Sequence, residues 1–167
     1  MKKLFLLLLL SNYALSNYAQ SSKNDEEVTG VAKAFFNSWN KHDFSDMPSY
    51  ATEDFCFVIG PGTLWKERSQ VQNNHQNAHK TVMKNTSFIL DQESIFTRHI
   101  TPDVAVINMV AKMGAFYPPD GVDRGNNKAG DNRVMLTIVE VRKNGKWLLT
   151  AAQGTTIDLR AEAAIHH

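Results

Sequence analysis

The stretch "RVMLTIVEVRKNGKWLLTAAQGTT", residues 133–156, decides the fold. β-Branched and apolar residues run up to Lys143, the pair Asn144-Gly145 interrupts them, and a second run of the same character starts at Lys146. An Asn-Gly pair tolerates the positive φ angles that a two-residue hairpin turn needs. The stretch therefore reads as two antiparallel strands, Asn132–Lys143 and Lys146–Asp158.

Working outward, two more long strand candidates lie upstream, Thr86–His99 and Val104–Phe116, joined by the tight turn "ITPD". The segment "YPPDGVDRGNNKAGD", residues 117–131, is rich in proline, glycine and asparagine and reads as a long loop. Its Asp120, Asp123, Asn126 and Asp131 do not follow the spacing of a calcium loop. Further upstream the pattern turns helical. Val28, Val31, Ala32, Phe35, Phe36 and Trp39 recur at helical spacing after Asn24 and Glu27, which are placed as a capping box, and this helix should end near Asn40 and Lys41. A short helix can start at Asp43, with its carboxylate on the N–H of Ser45 or Asp46. "EDFCFVIG" reads as a strand closed by "GPG", and Glu67–Lys80 as a third helix. Helices followed by a run of strands is the α+β layout. It predicts a curved antiparallel sheet wrapped around the N-terminal helices as a cone with an internal pocket.

The chain has 167 residues, 43% of them hydrophobic, enough for one domain with one core. Its formal net charge is +1, and no basic stripe is present, which argues against nucleic acid or an anionic membrane as partner. Lys2 and Lys3 precede the apolar run Leu4–Leu10 and then "SNYALSNYAQSS", the order of a secretory leader. Residues 1–19 are expected to be removed, with a mature start between 17 and 20 and a periplasmic or extracellular location. The apolar run is too short to span a bilayer, so no membrane anchor is expected in the mature form. Cys56 is the single cysteine; it excludes an intrachain disulfide and reads as a small hydrophobe in a strand.

"FFNSWNKHDFSDMPSYATEDFCFVIGPG", then "TPDVAVI", then "RVMLTIVEVRKNGKWLLTAAQGT" resemble, in order and spacing, the successive segments of SnoaL-like proteins in the nuclear transport factor 2-like (NTF2-like) superfamily, most of all its SgcJ/EcaC subfamily. The resemblance covers residues 24–158 and leaves 159–167 as a tail. It implies a cystatin-like cone, frequent homodimers through the sheet, and a pocket used for catalysis in some members and for binding in others. Ketosteroid isomerases share that fold and use a tyrosine in the first helix and an aspartate late in the first strand. By the same alignment Phe35 and Ile59 occupy those positions here, and neither can exchange a proton. No dinucleotide fingerprint accompanies the resemblance, so no cofactor is expected.

In "SWNKHD", residues 38–43, a His42–Asp43 dyad competes with a plain helix ending, and the ending needs only local geometry, with His42 exposed. His75 and His79 lie four apart on a helix, but zinc needs more ligands than two, so no metal site is expected. Trp39, Trp65, His75, Arg98, Arg133 and Gln153 are the candidate ligand-binding residues. Gln153 enters that set by alternation with Trp147, Leu149 and Ala151 on one strand face. His75 and Asp54 are the candidate acid–base residues. The expected function is binding of a small, largely apolar molecule in the cone. The alternatives are an isomerase, cyclase or hydratase acting on a small carbonyl compound, and a dimeric interaction module using the outer face at Val104, Val106 and Val110. A side-chain-packed cone would favour that module.

Overall fold

The computed structural model describes residues 24–114 and 132–157. The expected leader, the expected loop with its four calcium-like positions and the expected C-terminal tail fall on residues outside those described.

Helix α1 covers residues 24–41 and buries the periodic face read from sequence, Val28, Ala32, Phe35, Phe36 and Trp39. Fully burying one such side chain contributes about 1.5–3 kcal/mol, so this face ties α1 to the sheet, and Phe35→Ala would cost about 3–5 kcal/mol. "SWNKHD" ends the helix through its backbone. His42 N–H donates to Trp39 O at 3.0 Å and Asp43 N–H to Ser38 O at 3.1 Å, with His42 at φ 56°. That is the Schellman motif, with histidine where glycine is usual. Asp43 Oδ1 accepts from Ser45 N–H at 2.9 Å, the bond expected, but it closes a local turn and does not cap a helix, since the N-cap of the next helical turn is Asp46. The helical turn itself starts later, as a 3-10 turn at Met47–Ser49.

Strand β1 (Ala51–Val58) turns at Gly62, φ 88°, into the short β2 (Leu64–Trp65), and α2 (Arg68–Lys80) follows. The expected strand Thr86–His99 is broken into β3 (Phe88–Leu90) and β4 (Phe96–Thr101) by a 3-10 turn at Gln92–Ser94. Asp91 and Ser94 cause the break. Asp91 Oδ1 accepts from Glu93 N–H, while Ser94 Oγ accepts from Val110 N–H at 2.8 Å, so a side chain fills one rung of the ladder. β5 (Val104–Met113), β6 (Asn132–Lys143) and β7 (Lys146–Thr156) are long, and Asn144 (φ 53°) and Gly145 (φ 77°) make the predicted hairpin turn.

The curved sheet runs β2-β1-β7-β6-β5-β3, with β4 also on β5. It is mixed rather than wholly antiparallel, because β1 and β7 pair in parallel. Helices pack on the face carrying Ala105, Ile107, Met109, Leu136, Ile138, Trp147 and Leu149.

Candidate functional site

The concave side has two distinct ends. At one, Phe35, Trp39, Phe44, Phe57 and Trp65 surround His75 at ring-centre distances of 5.0 to 5.7 Å. These rings pack this part of the cone with side chains. Phe35, Trp39, Phe44, Phe57 and His75 are buried, while Trp65, on the edge strand, is half-buried. His75 Nδ1 lies 2.9 Å from Val71 O, so it carries the proton and donates. Burial pushes the imidazole down to about 4, against a smaller raising effect of the Val71 carbonyl. The ring is neutral and its Nε2 is an acceptor.

His42 is not the exposed helix-end residue expected. It is half-buried, its Nδ1 2.6 Å from His79 Nδ1, a distance at which the two rings share one proton. Its left-handed backbone turns the side chain toward α2, and Gln76 holds the same loop through His42 O and Phe44 N–H. Burial, then the neighbouring His42 and His75, hold His79 down to about 4. Among the described residues no group of three or more His, Cys, Asp or Glu is placed to hold a metal ion.

The second end lies on β6 and β7. Glu140 is fully buried on the inner face, aligned with Ala105 of β5 and Leu149 of β7, and neither carboxyl oxygen has a hydrogen-bond partner of good geometry. Burial pushes this carboxyl from the ordinary 4.5 up to about 9, with the Ala32 backbone offsetting part of the effect. Glu140 is therefore uncharged at neutral pH. Arg142 stacks its guanidinium carbon 4.6 Å from the centre of the Trp147 ring, and Arg142 Nε and Trp147 Nε1 are buried without partners.

The candidate ligand residues do not all converge. Trp39, Trp65 and His75 meet at the aromatic end. Arg98, aligned with Val106, and Gln153, aligned with Thr137, are exposed on the outer face of the sheet. Arg133, aligned with Lys112, has the same outward parity and is half-buried. For Gln153 the cause is a bulge: Glu140 pairs with Leu149 and Val139 with Ala151, so Thr150 is skipped and the alternation inverts beyond it. Trp147 and Leu149 face inward before the bulge, Ala152 and Gly154 after it.

Asp54 also stands apart from His75. Its side chain is exposed, 4.0 Å from Lys143 Nζ, and it lines a groove of about 630 Å³ beside Arg68 and Lys146. The hydrogen bond of Thr52 is the first cause holding its carboxyl below the usual range. Cys56 is half-buried rather than buried.

Glu140 and Arg142 escaped the sequence reading, which placed Trp147 on the inner strand face without assigning it to the site. The one signal was a lone acid in "TIVEV", where apolar residues on both parities conceal which face is inner.

No family model matches the chain, and no curated protein matches it. Solved structures do. An uncharacterized protein with a cystatin-like fold from Caulobacter vibrioides is 22% identical over 85% of this chain and 95% of its own, with a TM-score of 0.75. An NTF2-like protein with a cystatin-like fold from Novosphingobium aromaticivorans is 12% identical over 90% and 93%, at 0.69. A protein proposed to be a dehydratase of the NTF2-like family, from Streptomyces avermitilis, is 16% identical over 83% and 99%, at 0.65.

Proposed function

The chain has the cystatin-like, NTF2-like fold, and on that premise we propose that it is a binding protein of SnoaL type, taking a small, largely apolar molecule on the concave side of its sheet. One observation carries the reading. The concave side holds titratable side chains that the fold buries without satisfying, Glu140 above all. Native folds pair nearly all buried polar groups. Glu140 costs stability at neutral pH, and a residue kept at such a cost is best explained by what it does for a ligand. The rings around His75 supply the apolar walls, and half-buried Trp65 is the side chain whose movement opens them.

The acid–base alternative has less geometric support. Burial holds His75 neutral, with its imidazole pushed down to about 4, and Asp54 lies outside the aromatic box, so the two candidate acid–base residues do not face one site.

To test the binding reading, protein isolated from its native source is denatured and its small molecules identified by mass spectrometry, then titrated back. At about 100 times the dissociation constant the fold should gain about 2.7 kcal/mol. No co-purifying molecule, and no thermal shift across a library of small aromatic and carbonyl compounds, would refute it.

The packed aromatic end and the outer face support a second reading, a homodimer. Ile89 is 67% exposed and Phe96 62%, and Val106, Val110, Val139 and Met135 extend the same apolar face. Phe96→Glu should convert a dimer to a monomer in light scattering, and an unchanged mass would exclude this face. Export is proposed on the order of residues 1–19 alone.

A further inference from the structure

We propose that Glu140, Arg142 and Trp147 form a recognition site for the carboxylate of a small apolar acid, with all three side chains donating hydrogen bonds. This rests on the reading that a small molecule enters the concave side. It adds the ligand's chemical class and the residues that select it.

The three residues share one face at adjacent rungs of the β6–β7 ladder, where Glu140 aligns with Leu149 and Arg142 with Trp147. Glu140 is 0% exposed and Trp147 2%. Glu140 Oε1 and Oε2, Arg142 Nε and Trp147 Nε1 all lack partners. A buried donor beside a buried acceptor ordinarily pairs with it, since an unmet polar group costs about 1–3 kcal/mol. Here donors and carboxyl sit on one face without pairing, which is the arrangement of groups that meet on a third party.

Chemistry narrows that party. Arg142 is permanently charged and repels a cation. Trp147 Nε1 can only donate. Glu140, kept protonated by its surroundings, has an O–H to give. A carboxylate, with two oxygens and several lone pairs, accepts from all three, and the protonated Glu140 avoids the repulsion that two carboxylates would suffer. The inner-face neighbours Ala105 and Leu149 suit an apolar body beside the carboxylate.

The site lies next to the start of α1. Arg142 Nη2 donates to Asn24 Oδ1 at 2.6 Å, and His99 Nε2 meets Asp25 Oδ1 at 2.8 Å, so the first described turn of α1 is fastened to the sheet by polar side chains. A ligand carboxylate competes with the neutral Asn24 amide oxygen for the Arg142 guanidinium, and the charged acceptor makes the stronger bond.

The probe is sodium benzoate, titrated calorimetrically into the whole protein, with benzyl alcohol as the same ring without the carboxylate. Benzoate should bind at least about tenfold more tightly than benzyl alcohol, the discrimination expected when charge-assisted hydrogen bonds are gained. Glu140→Gln keeps an N–H donor and should stay within about threefold of wild type, while Glu140→Leu and Arg142→Lys should each lose about tenfold or more. Glu140→Leu replaces an unpaired buried carboxyl by an apolar group and should remain folded, which keeps the comparison readable. Equal affinity for benzoate and benzyl alcohol, or benzoate binding unchanged in Glu140→Leu, overturns the carboxylate site while leaving interior binding intact. Absence of binding by both probes, with other small apolar compounds binding, also overturns it. If no small compound binds at all, the proposed function falls, and this site with it.

Discussion

Replacing Glu140 by glutamine should change how stability depends on pH. In the native state burial holds this carboxyl protonated up to about 9, while in the unfolded chain it ionises near 4.5. Between those values the native carboxyl holds a proton that the unfolded one has lost, so the contribution of Glu140 to stability falls as pH rises, and it stops falling only above the native value. Each pH unit in the interval costs about 1.4 kcal/mol, hence about 3 kcal/mol has been lost by pH 7 relative to pH 4.5. Glutamine cannot ionise. Whatever its offset from wild type at pH 4.5, Glu140→Gln should gain about 3 kcal/mol on wild type by pH 7, a relative melting shift of about 10 °C. Urea unfolding of both proteins at several pH values from 4.5 to 8.5 measures the difference without relying on absolute stabilities. An offset that stays constant across that range would refute the reasoning, since it would mean that Glu140 ionises in the native state or finds a partner there.

Acid should destabilise by the opposite route. His75 and His79 are held near 4, so below the ordinary 6.5 the unfolded chain takes up protons that the native state refuses, and stability should fall between those values. With Glu140 acting above, these groups place maximum stability near pH 6.5, and His75→Phe should flatten the acid limb in thermal melts. Asp43→Ala should lower the melting temperature, and Asp43→Asn or Asp43→Ser should restore most of it, because only an oxygen acceptor for Ser45 N–H is needed; no recovery would refute a role for this turn bond. Intact mass of protein from its native source should lack at least residues 1–16, and a retained Met1 would sink the proposed export.

What was legible from sequence was local. The Asn144-Gly145 hairpin, the buried stripe of α1 and the Asp43–Ser45 turn bond depend on residues a few positions apart, where turn chemistry and periodicity speak directly. The alternation of Ala105, Ile107, Met109 and Ala111 against Val104, Val106 and Val110 also emerged as read, since β5 runs without a bulge against β6. The candidate site was less legible because it depends on long-range register. Skipping Thr150 sent Gln153 outward, and no local property of "TAAQ" announces a skip that exists only against β6. Asp91 and Ser94 interrupted an expected strand, a signal present in the sequence but hidden by the apolar residues around it. Glu140 is the sharpest instance. With Val139 and Val141 beside it, an acid would ordinarily mark the solvent face, yet pairing with Ala105 and Leu149 turns it inward beneath α1. Sequence alone determined α1, α2, the long strands β5, β6 and β7 and the hairpin turn, because those follow from neighbouring residues. Only the tertiary structure decided which face of β6 is inside and where β7 reverses its alternation, because one skipped residue inverts every side chain beyond it.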